Sequence, residues 1–128
     1  MAAKTDLFRI ARKAMKNSRA PFSKLKVGVA LRAASGKIYA GSNIETASLG
    51  LTICAERVAL FSAIAHGERK FKEIAIVSSA AEPISPCGAC RQVMWELCGD
   101  MGVSIHNLKG AKKEFKLSEL LPFPFEKF

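Results

Sequence analysis

The chain has few of the features that mark membrane, secreted or multidomain proteins. None of its apolar runs approaches the length needed to cross a membrane, and its N-terminus is a charged amphipathic stretch, unlike a secretory signal peptide. We therefore expect a cytoplasmic protein, in which thiols stay reduced. No linker, internal repeat or change of composition divides the 128 residues, so we expect one domain spanning residues 1–128.

Histidine is scarce, which narrows the choice of metal ligands. The two histidines are His66 and His106, and neither stands at ligand spacing to a cysteine. Four cysteines are present, and in a reducing compartment they favour metal or catalytic roles over disulfides. We expect any metal site to be built from sulfur.

Acidic residues are fewer than basic ones, and the net charge is +9. Such a charge can indicate a nucleic-acid partner. The lysines and arginines are spread along the chain, however, with only loose clusters at residues 9–16 and 109–113. This distribution favours a solvated basic surface, so we expect neither a nucleic-acid partner nor a membrane partner.

Apolar periodicity predicts three helices, each ended by a proline or glycine signal. They span residues 5–17, 54–66 and 88–98. Apolar alternation and short apolar runs predict five strands, at residues 25–32, 38–41, 74–79, 103–108 and 114–117. One helical turn is expected at residues 118–121. Gly28 and Ala30 give the first strand a small face, on which a helix can pack closely.

The order of these elements predicts the fold. The last two strands are joined by a short turn at residues 109–112, which forces them to be antiparallel. The first two strands are joined by a turn at Ser35-Gly36 and are expected to form a hairpin. The helices before and between the remaining strands predict helical layers on both sides of the sheet. We expect an α/β fold: a three-layer α/β/α sandwich around a five-stranded mixed sheet, with an antiparallel last strand pair.

Two short motifs carry the chemistry. The first is Cys54-Ala-Glu56, and the second is Pro86-Cys87-Gly-Ala-Cys90. Three thiolates can hold one Zn²⁺ and leave a fourth position open for water, as in catalytic zinc sites. Glu56 would then carry protons for that water. Residues two apart diverge on a regular helix, so Cys54 must lie at the helix cap if both groups serve one site.

Other interpretations of the cysteines are weaker. Cys87 and Cys90 alone could form a redox pair, but the presence of the second motif, Cys54-Ala-Glu56, argues against it. A purely structural zinc lacks a fourth protein ligand. Cys98 lies on the apolar face of its helix and is expected to be an inert core thiol. Arg57 could donate to the thiolates and restore acidity that three negative ligands remove from the metal.

The whole pattern resembles the cytidine deaminases, specifically the small homotetrameric type. The stretches that match lie in order along almost the whole chain: residues 20–24 (APFSK), 27–31 (VGVAL), 36–39 (GKIY), 43–45 (NIE), 53–57 (ICAER), 85–92 (SPCGACRQ) and 119–122 (ELLP). The resemblance implies hydrolytic deamination of cytidine and 2′-deoxycytidine to the uridines, with release of ammonia, as in pyrimidine salvage. It also implies one zinc ion per subunit and a homotetramer with shared active sites.

The resemblance assigns a role to each matching residue. Glu56 would move protons between water, ring N3 and the leaving amine. The remaining expected roles are metal binding by Cys54, Cys87 and Cys90, ribose binding by Asn43 and Glu45, and binding of the base edge by the Ala55 amide and the Ser85 carbonyl. Phe125 would reach into a neighbouring subunit and stack on the base.

Two positions depart from the family pattern. Leu25 stands where a phenylalanine usually lines the nucleoside pocket, and Leu49 stands near the usual place of a tyrosine at a subunit contact. Loss of the ring at Leu25 leaves open an alternative substrate, a modified cytosine nucleoside such as blasticidin S. A nucleic-acid editing or binding protein fits less well, because editing deaminases usually have histidine as first ligand and a parallel last strand pair. A redox or zinc-storage protein is a further alternative.

Overall fold

The computed structural model describes the backbone of residues 4–126 and the side chains of residues 7–126. The helices are α1 (Lys4–Ala14), α2 (Ala55–Ala65), α3 (Gly88–Cys98) and the single turn α4 (Leu117–Leu120). The strands are β1 (Val27–Ala33), β2 (Ile38–Ser42), β3 (Phe71–Ser78), β4 (Gly102–His106) and β5 (Lys112–Lys116). Short 3₁₀ turns lie at Met15–Asn17 and Leu49–Leu51.

The five strands form one mixed sheet in the order β2-β1-β3-β4-β5. β1 is antiparallel to both β2 and β3, β3 and β4 are parallel, and β4 and β5 are antiparallel. The parallel pair is possible because α3 provides the long crossover between β3 and β4. The prediction of a mixed sheet with an antiparallel last pair is confirmed. β5 forms one edge and carries Lys112, Lys113 and Lys116.

Helices cover both faces of the sheet, because the strand side chains alternate between two cores. Val29, Leu31 and Ile76 belong to a core shared with α2 and α3. Ala30 and Ala75 belong to a second core shared with α1. The three-layer sandwich predicted from the element order is confirmed.

Two glycines bring helices unusually close to the sheet. A methyl group on Gly28 would lie 2.0 Å from the Ala11 carbonyl oxygen of α1, which confirms the predicted close packing there. A methyl group on Gly41 would lie 2.6 Å from the Ala55 carbonyl oxygen of α2. Gly41 therefore allows the first turn of α2, which follows Cys54, to pack closely on β2. No sequence pattern indicated this role.

Several element ends differ from the predictions. β1 begins at Val27, and the preceding Leu25 leaves the sheet to line a cavity described below. β5 begins at Lys112, two residues earlier than predicted, because Asn107 closes a tight turn. Its Oδ1 accepts hydrogen bonds from the Lys109 and Ala111 amides at 3.0 and 2.9 Å. The predicted strand end at Leu117 is instead the first residue of α4.

The chain after α4 is an irregular aromatic tail, as the prolines predict. Its last two residues, Lys127 and Phe128, lie outside the described residues. Among the helices of the described chain, none has the length and apolarity that a membrane crossing requires.

Candidate active site

Two helix starts bring three cysteines together. Cys54 is the N-cap of α2 and Cys87 is the N-cap of α3, and Cys90 lies in the first turn of α3. All three sulfur atoms lie within 4.8 Å of one another. The predicted position of Cys54, outside helical geometry at the cap, is confirmed by its extended backbone (φ −72°, ψ 152°).

The spacing of the sulfurs suits a zinc ion. The Cys54 and Cys87 Sγ atoms are 3.7 Å apart. Two thiolates bound to one zinc at about 2.3 Å with tetrahedral angles would lie about 3.8 Å apart. A soft donor set of three sulfurs also binds zinc in preference to magnesium or calcium, which favour oxygen ligands. The residues present therefore fit a zinc ion.

The electrostatics of the site favour a thiolate at Cys54. Hydrogen bonds from the Cys90 thiol and from Arg57 lower the pKa of Cys54 to about 5. The hydrogen bond with Cys54 conversely raises the pKa of Cys90, because loss of the Cys90 proton would place a second negative sulfur beside the first. Arg57 Nη2 lies 3.6 Å from the Cys54 Sγ atom. Deprotonation of all three thiols thus calls for a cation between them.

Glu56 is a buried carboxyl beside the thiols. Only 5% of the residue is exposed, although it follows Cys54 by two positions in the first turn of α2. Burial raises the pKa of Glu56 to about 7, and the nearby Cys54 charge adds to the effect. A carboxyl with such a pKa can both accept and donate a proton near neutral pH.

A cavity of about 320 Å³ opens on this site. Its lining includes eight of the residues singled out from the sequence: Leu25, Asn43, Glu45, Cys54, Ala55, Glu56, Ser85 and Cys87. Ala55 is the first residue of α2, so its amide has no partner within the helix and can bind a ligand. The lining combines mostly apolar surface with a few polar groups, as small-molecule sites do.

Asn43 and Glu45, which both line the cavity, are held in fixed orientations. Asn43 accepts a hydrogen bond from the Val27 amide at 2.9 Å and donates to the Leu25 carbonyl at 2.7 Å. Glu45 accepts hydrogen bonds from the Phe22 and Ser23 amides at 3.0 and 3.1 Å, and from the Ser23 hydroxyl. Each side chain still has hydrogen-bonding capacity for a ligand hydroxyl.

Three of the residues singled out from the sequence lie outside the described lining of this cavity. They are Arg57, Phe125 and Cys90, of which Cys90 is fully buried. The sequence analysis gave no role to Ser23 and Ile84, which do line the cavity. Ser23 lies in a stretch that carried the family resemblance, so the signal was present, but its contact with Glu45 crosses 22 residues.

A larger concave region of about 500 Å³ lies elsewhere, beside α1 and over the outer strands β4 and β5. Its lining includes Phe8, His106 and Glu114, and the described lining contains no cysteine. The Phe8 and His106 rings pack against each other with their centroids 4.9 Å apart. The clustered cysteines and the buried carboxyl Glu56 therefore lie at the smaller cavity and not at this larger region.

The three clustered thiols and the buried carboxyl at one cavity form a site suited to metal-assisted hydrolysis. Comparison with known proteins identifies the family of hydrolytic enzymes to which the site belongs. Residues 1–105 match the family model described as the cytidine and deoxycytidylate deaminase zinc-binding region. The chain is 48% identical over 118 residues to the cytidine deaminase of Sporosarcina psychrophila, covering 91% of this chain and 87% of that protein.

Solved structures agree with the sequence comparison. The crystal structure of cytidine deaminase from Burkholderia pseudomallei has a TM-score of 0.91 and 45% identity, covering 98% of this chain and 100% of that one. The cytidine deaminase of Mycobacterium tuberculosis has a TM-score of 0.83 at 28% identity, covering 99% of this chain and 100% of that one. The chain belongs to the cytidine and deoxycytidylate deaminase family and is an enzyme of the deaminase class.

Proposed function

We propose that the protein catalyses the zinc-dependent hydrolytic deamination of cytidine and 2′-deoxycytidine, with one zinc ion per subunit. The observation that carries this proposal is that the buried carboxyl of Glu56 lines the same cavity as Cys54 and Cys87. The names of the similar proteins, which are cytidine deaminases, support the choice of substrate. The reaction belongs to pyrimidine salvage, which we place in the cytoplasm, where the three thiols would stay reduced.

Each residue of the site has a separate task in this proposal. Zinc held by Cys54, Cys87 and Cys90 would supply the Lewis acidity that makes water nucleophilic near neutral pH. Glu56 takes one proton from the attacking water and delivers it to ring N3, and it then takes the remaining proton of the added hydroxyl and passes it to the leaving amine. Arg57 donates to the Cys54 sulfur and thereby reduces the negative charge that this ligand places on the metal.

The other cavity residues bind the nucleoside. Asn43 and Glu45, which are already oriented by backbone contacts, bind the ribose hydroxyls with their remaining hydrogen-bonding capacity. The Ala55 amide and the Ser85 carbonyl bind the polar edge of cytosine. Their fixed backbone positions need no reordering when the base arrives.

We further propose a homotetramer in which Phe125 completes the cavity of a neighbouring subunit. Phe125 is outside the lining of its own cavity and remains 57% exposed. Other exposed large apolar side chains include Phe22, Leu49, Leu51, Phe61 and Phe123. Association of subunits would remove such side chains from water, which is favourable. Light scattering that gives the mass of four chains would support this assembly, and a monomer mass would contradict it.

Leu25 favours a second candidate substrate class, the modified cytosine nucleosides. It lines the cavity together with Val27, Ile53 and Ile84, which makes that wall aliphatic. An aliphatic wall accepts added apolar groups more readily than it stacks on a bare ring. A panel of cytidine, deoxycytidine and blasticidin S separates the two candidates, because the preferred substrate will have the highest kcat/KM.

The decisive experiment is ammonia release from cytidine by the purified protein, with and without prior chelation of zinc. We expect turnover that disappears on chelation and returns when zinc is added. Turnover that is unaffected by complete removal of the metal would contradict the proposal.

A further inference from the structure

Gln92 holds the C-terminal tail through the backbone of Phe125. Its Nε2 donates a hydrogen bond to the Phe125 carbonyl oxygen at 2.6 Å, and its Oε1 accepts one from the Phe125 amide at 3.2 Å. The side-chain amide thus pairs with both backbone groups of one residue, as a neighbouring β-strand would. Gln92 lies on α3, two positions beyond Cys90, so the tail is attached to the helix that carries two thiols of the site.

Arg91 holds the start of the same tail. Its Nη1 donates to the Leu120 carbonyl oxygen at 2.6 Å, and its Nε donates to the Pro86 carbonyl oxygen at 2.8 Å. Its Nη2 donates to the Ser85 hydroxyl oxygen at 2.5 Å. Consecutive residues of α3 therefore fix both ends of the segment from Leu120 to Phe125.

The segment between these two attachments is stiff. Four residues separate Leu120 from Phe125, and two of them are Pro122 and Pro124. A proline ring fixes φ near −65°, which removes much of the freedom that the chain would otherwise have. A short segment that is attached at both ends and stiffened within can present its last side chain in a narrow range of positions.

We propose that Gln92 is a positioning residue for nucleoside binding, which acts by holding Phe125 ready to complete the cavity of a neighbouring copy. This inference rests on the proposed role of Phe125. A free tail would have to lose conformational entropy each time its ring met a substrate, and the pairing with Gln92 removes that cost beforehand. The expected signature is therefore in substrate binding and not in the chemical step.

Hydrogen exchange tests the attachment itself and requires no catalysis. The Phe125 amide should exchange faster in Gln92→Ala, and also in Gln92→Met, which keeps the chain length but lacks both polar atoms. Glu96→Ala provides a control on the same helix, because Glu96 is exposed. Unchanged exchange at Phe125 in both Gln92 variants would refute the attachment.

A double-mutant cycle with Phe125→Ala tests the consequence for cytidine deamination. We expect Gln92→Ala to raise KM by about fivefold, the size expected for one or two neutral hydrogen bonds, with kcat nearly unchanged. In the Phe125→Ala background the same substitution should change KM by less than about twofold, because its target is gone. Phe123→Ala, at a 96% exposed ring of the same tail, should leave the effect of Gln92→Ala intact.

The outcomes of the cycle separate the alternatives. An equal rise of KM with and without the Phe125 ring would overturn the positioning role and leave Gln92 as a structural residue of α3. A loss of kcat without a change of KM would also overturn it. Absence of cytidine turnover in the unmodified protein would contradict the proposed function, while the exchange experiment would still test the attachment.

Discussion

The Cys54 and Cys87 sulfurs lie 3.7 Å apart although 33 positions separate the two residues in the chain. Each residue caps a helix, so the first turns of α2 and α3 converge on one point. Helix N-termini stabilise negative charge, and three thiols without a cation cannot all lose their protons at low cost. Metal binding and the docking of these two helices are therefore expected to depend on each other.

Substitution of a thiol of the cluster should remove the metal. Cys87→Ser should lower the zinc content per chain and decrease thermal stability, since a group that binds only the folded state stabilises it. Cys98→Ser provides the matched control, because Cys98 lies outside the cluster and burial raises the pKa of its thiol to about 12. Zinc content measured by atomic absorption should fall only in the Cys87 variant. Equal zinc contents in the two variants would be evidence against the cluster as the binding site.

Glu56→Gln should abolish turnover while leaving the metal in place. The glutamine side chain has the shape of the glutamate side chain but cannot transfer protons. We therefore expect the rate of deamination to fall by about 10²–10⁴-fold. Ammonia release and zinc content are measured on the same sample. Glu96→Gln, at an exposed position of α3, is the control for a charge change. Retained activity in Glu56→Gln would exclude Glu56 as the proton carrier.

Leu25→Phe should improve the binding of unmodified cytidine. A ring in the cavity wall adds aromatic contact with the base, so we expect KM to fall by about twofold to tenfold. Leu25→Met keeps the volume without a ring and should leave KM nearly unchanged. Steady-state kinetics on cytidine give both values. A higher KM in Leu25→Phe would indicate that the cavity is shaped for a bulkier substrate.

Ser23→Ala should change how stability depends on pH. Hydrogen bonds from the Ser23 hydroxyl and amide lower the pKa of Glu45 below its ordinary value. A lowered folded-state pKa stabilises the protein above the unfolded pKa of about 4.3, and this stabilisation is lost as pH falls through the folded pKa. The difference in unfolding free energy between wild type and Ser23→Ala should therefore be largest at neutral pH and shrink in acid.

Urea unfolding at several pH values provides that comparison. Ser48→Ala, in the loop before α2, serves as a control that removes a hydroxyl without touching Glu45. A difference between wild type and Ser23→Ala that stays constant down to strongly acidic pH would show that the hydroxyl does not act through the Glu45 carboxylate.

Gly28→Ala should destabilise the fold severely. The added methyl would lie 2.0 Å from the Ala11 carbonyl oxygen, and backbone on a packed helix cannot move away cheaply. We expect a loss of about 3 kcal/mol or more, at the upper end for overpacking. Gly50→Ala is the control, since a methyl there meets no atom within 4 Å. Denaturant unfolding should separate the two variants clearly, and similar stabilities would refute the close approach of α1.

Local sequence patterns were sufficient for the scaffold and for the positions of Cys54, Cys87 and Cys90 at the helix starts. The spacing of Cys87 and Cys90, and the short distance from Cys54 to Glu56, placed both motifs at helix starts, where the structure has them. The short final turn led to the antiparallel pair of β4 and β5. These features are governed by interactions within a few residues, which periodicity can detect. The roles assigned to ligand-binding residues stay predictions.

Contacts between distant parts of the chain could not be predicted in the same way. The Ser23 hydroxyl meets Glu45 across 22 residues, and Gln92 meets Phe125 across 33. A serine or glutamine has many possible partners, and no local pattern selects one of them. The close approach of Gly41 to α2 is also invisible in a single strand, because it depends on which helix lies above.

The lysines of β5 have a consequence for how copies of the protein can meet. An open sheet edge offers unpaired backbone groups to any other strand, including the same edge of another molecule. Lys112, Lys113 and Lys116 place positive charge on this edge, and two such edges repel each other. Part of the +9 charge thus disfavours edge-to-edge pairing, which would extend the sheet from one molecule to the next into a fibre.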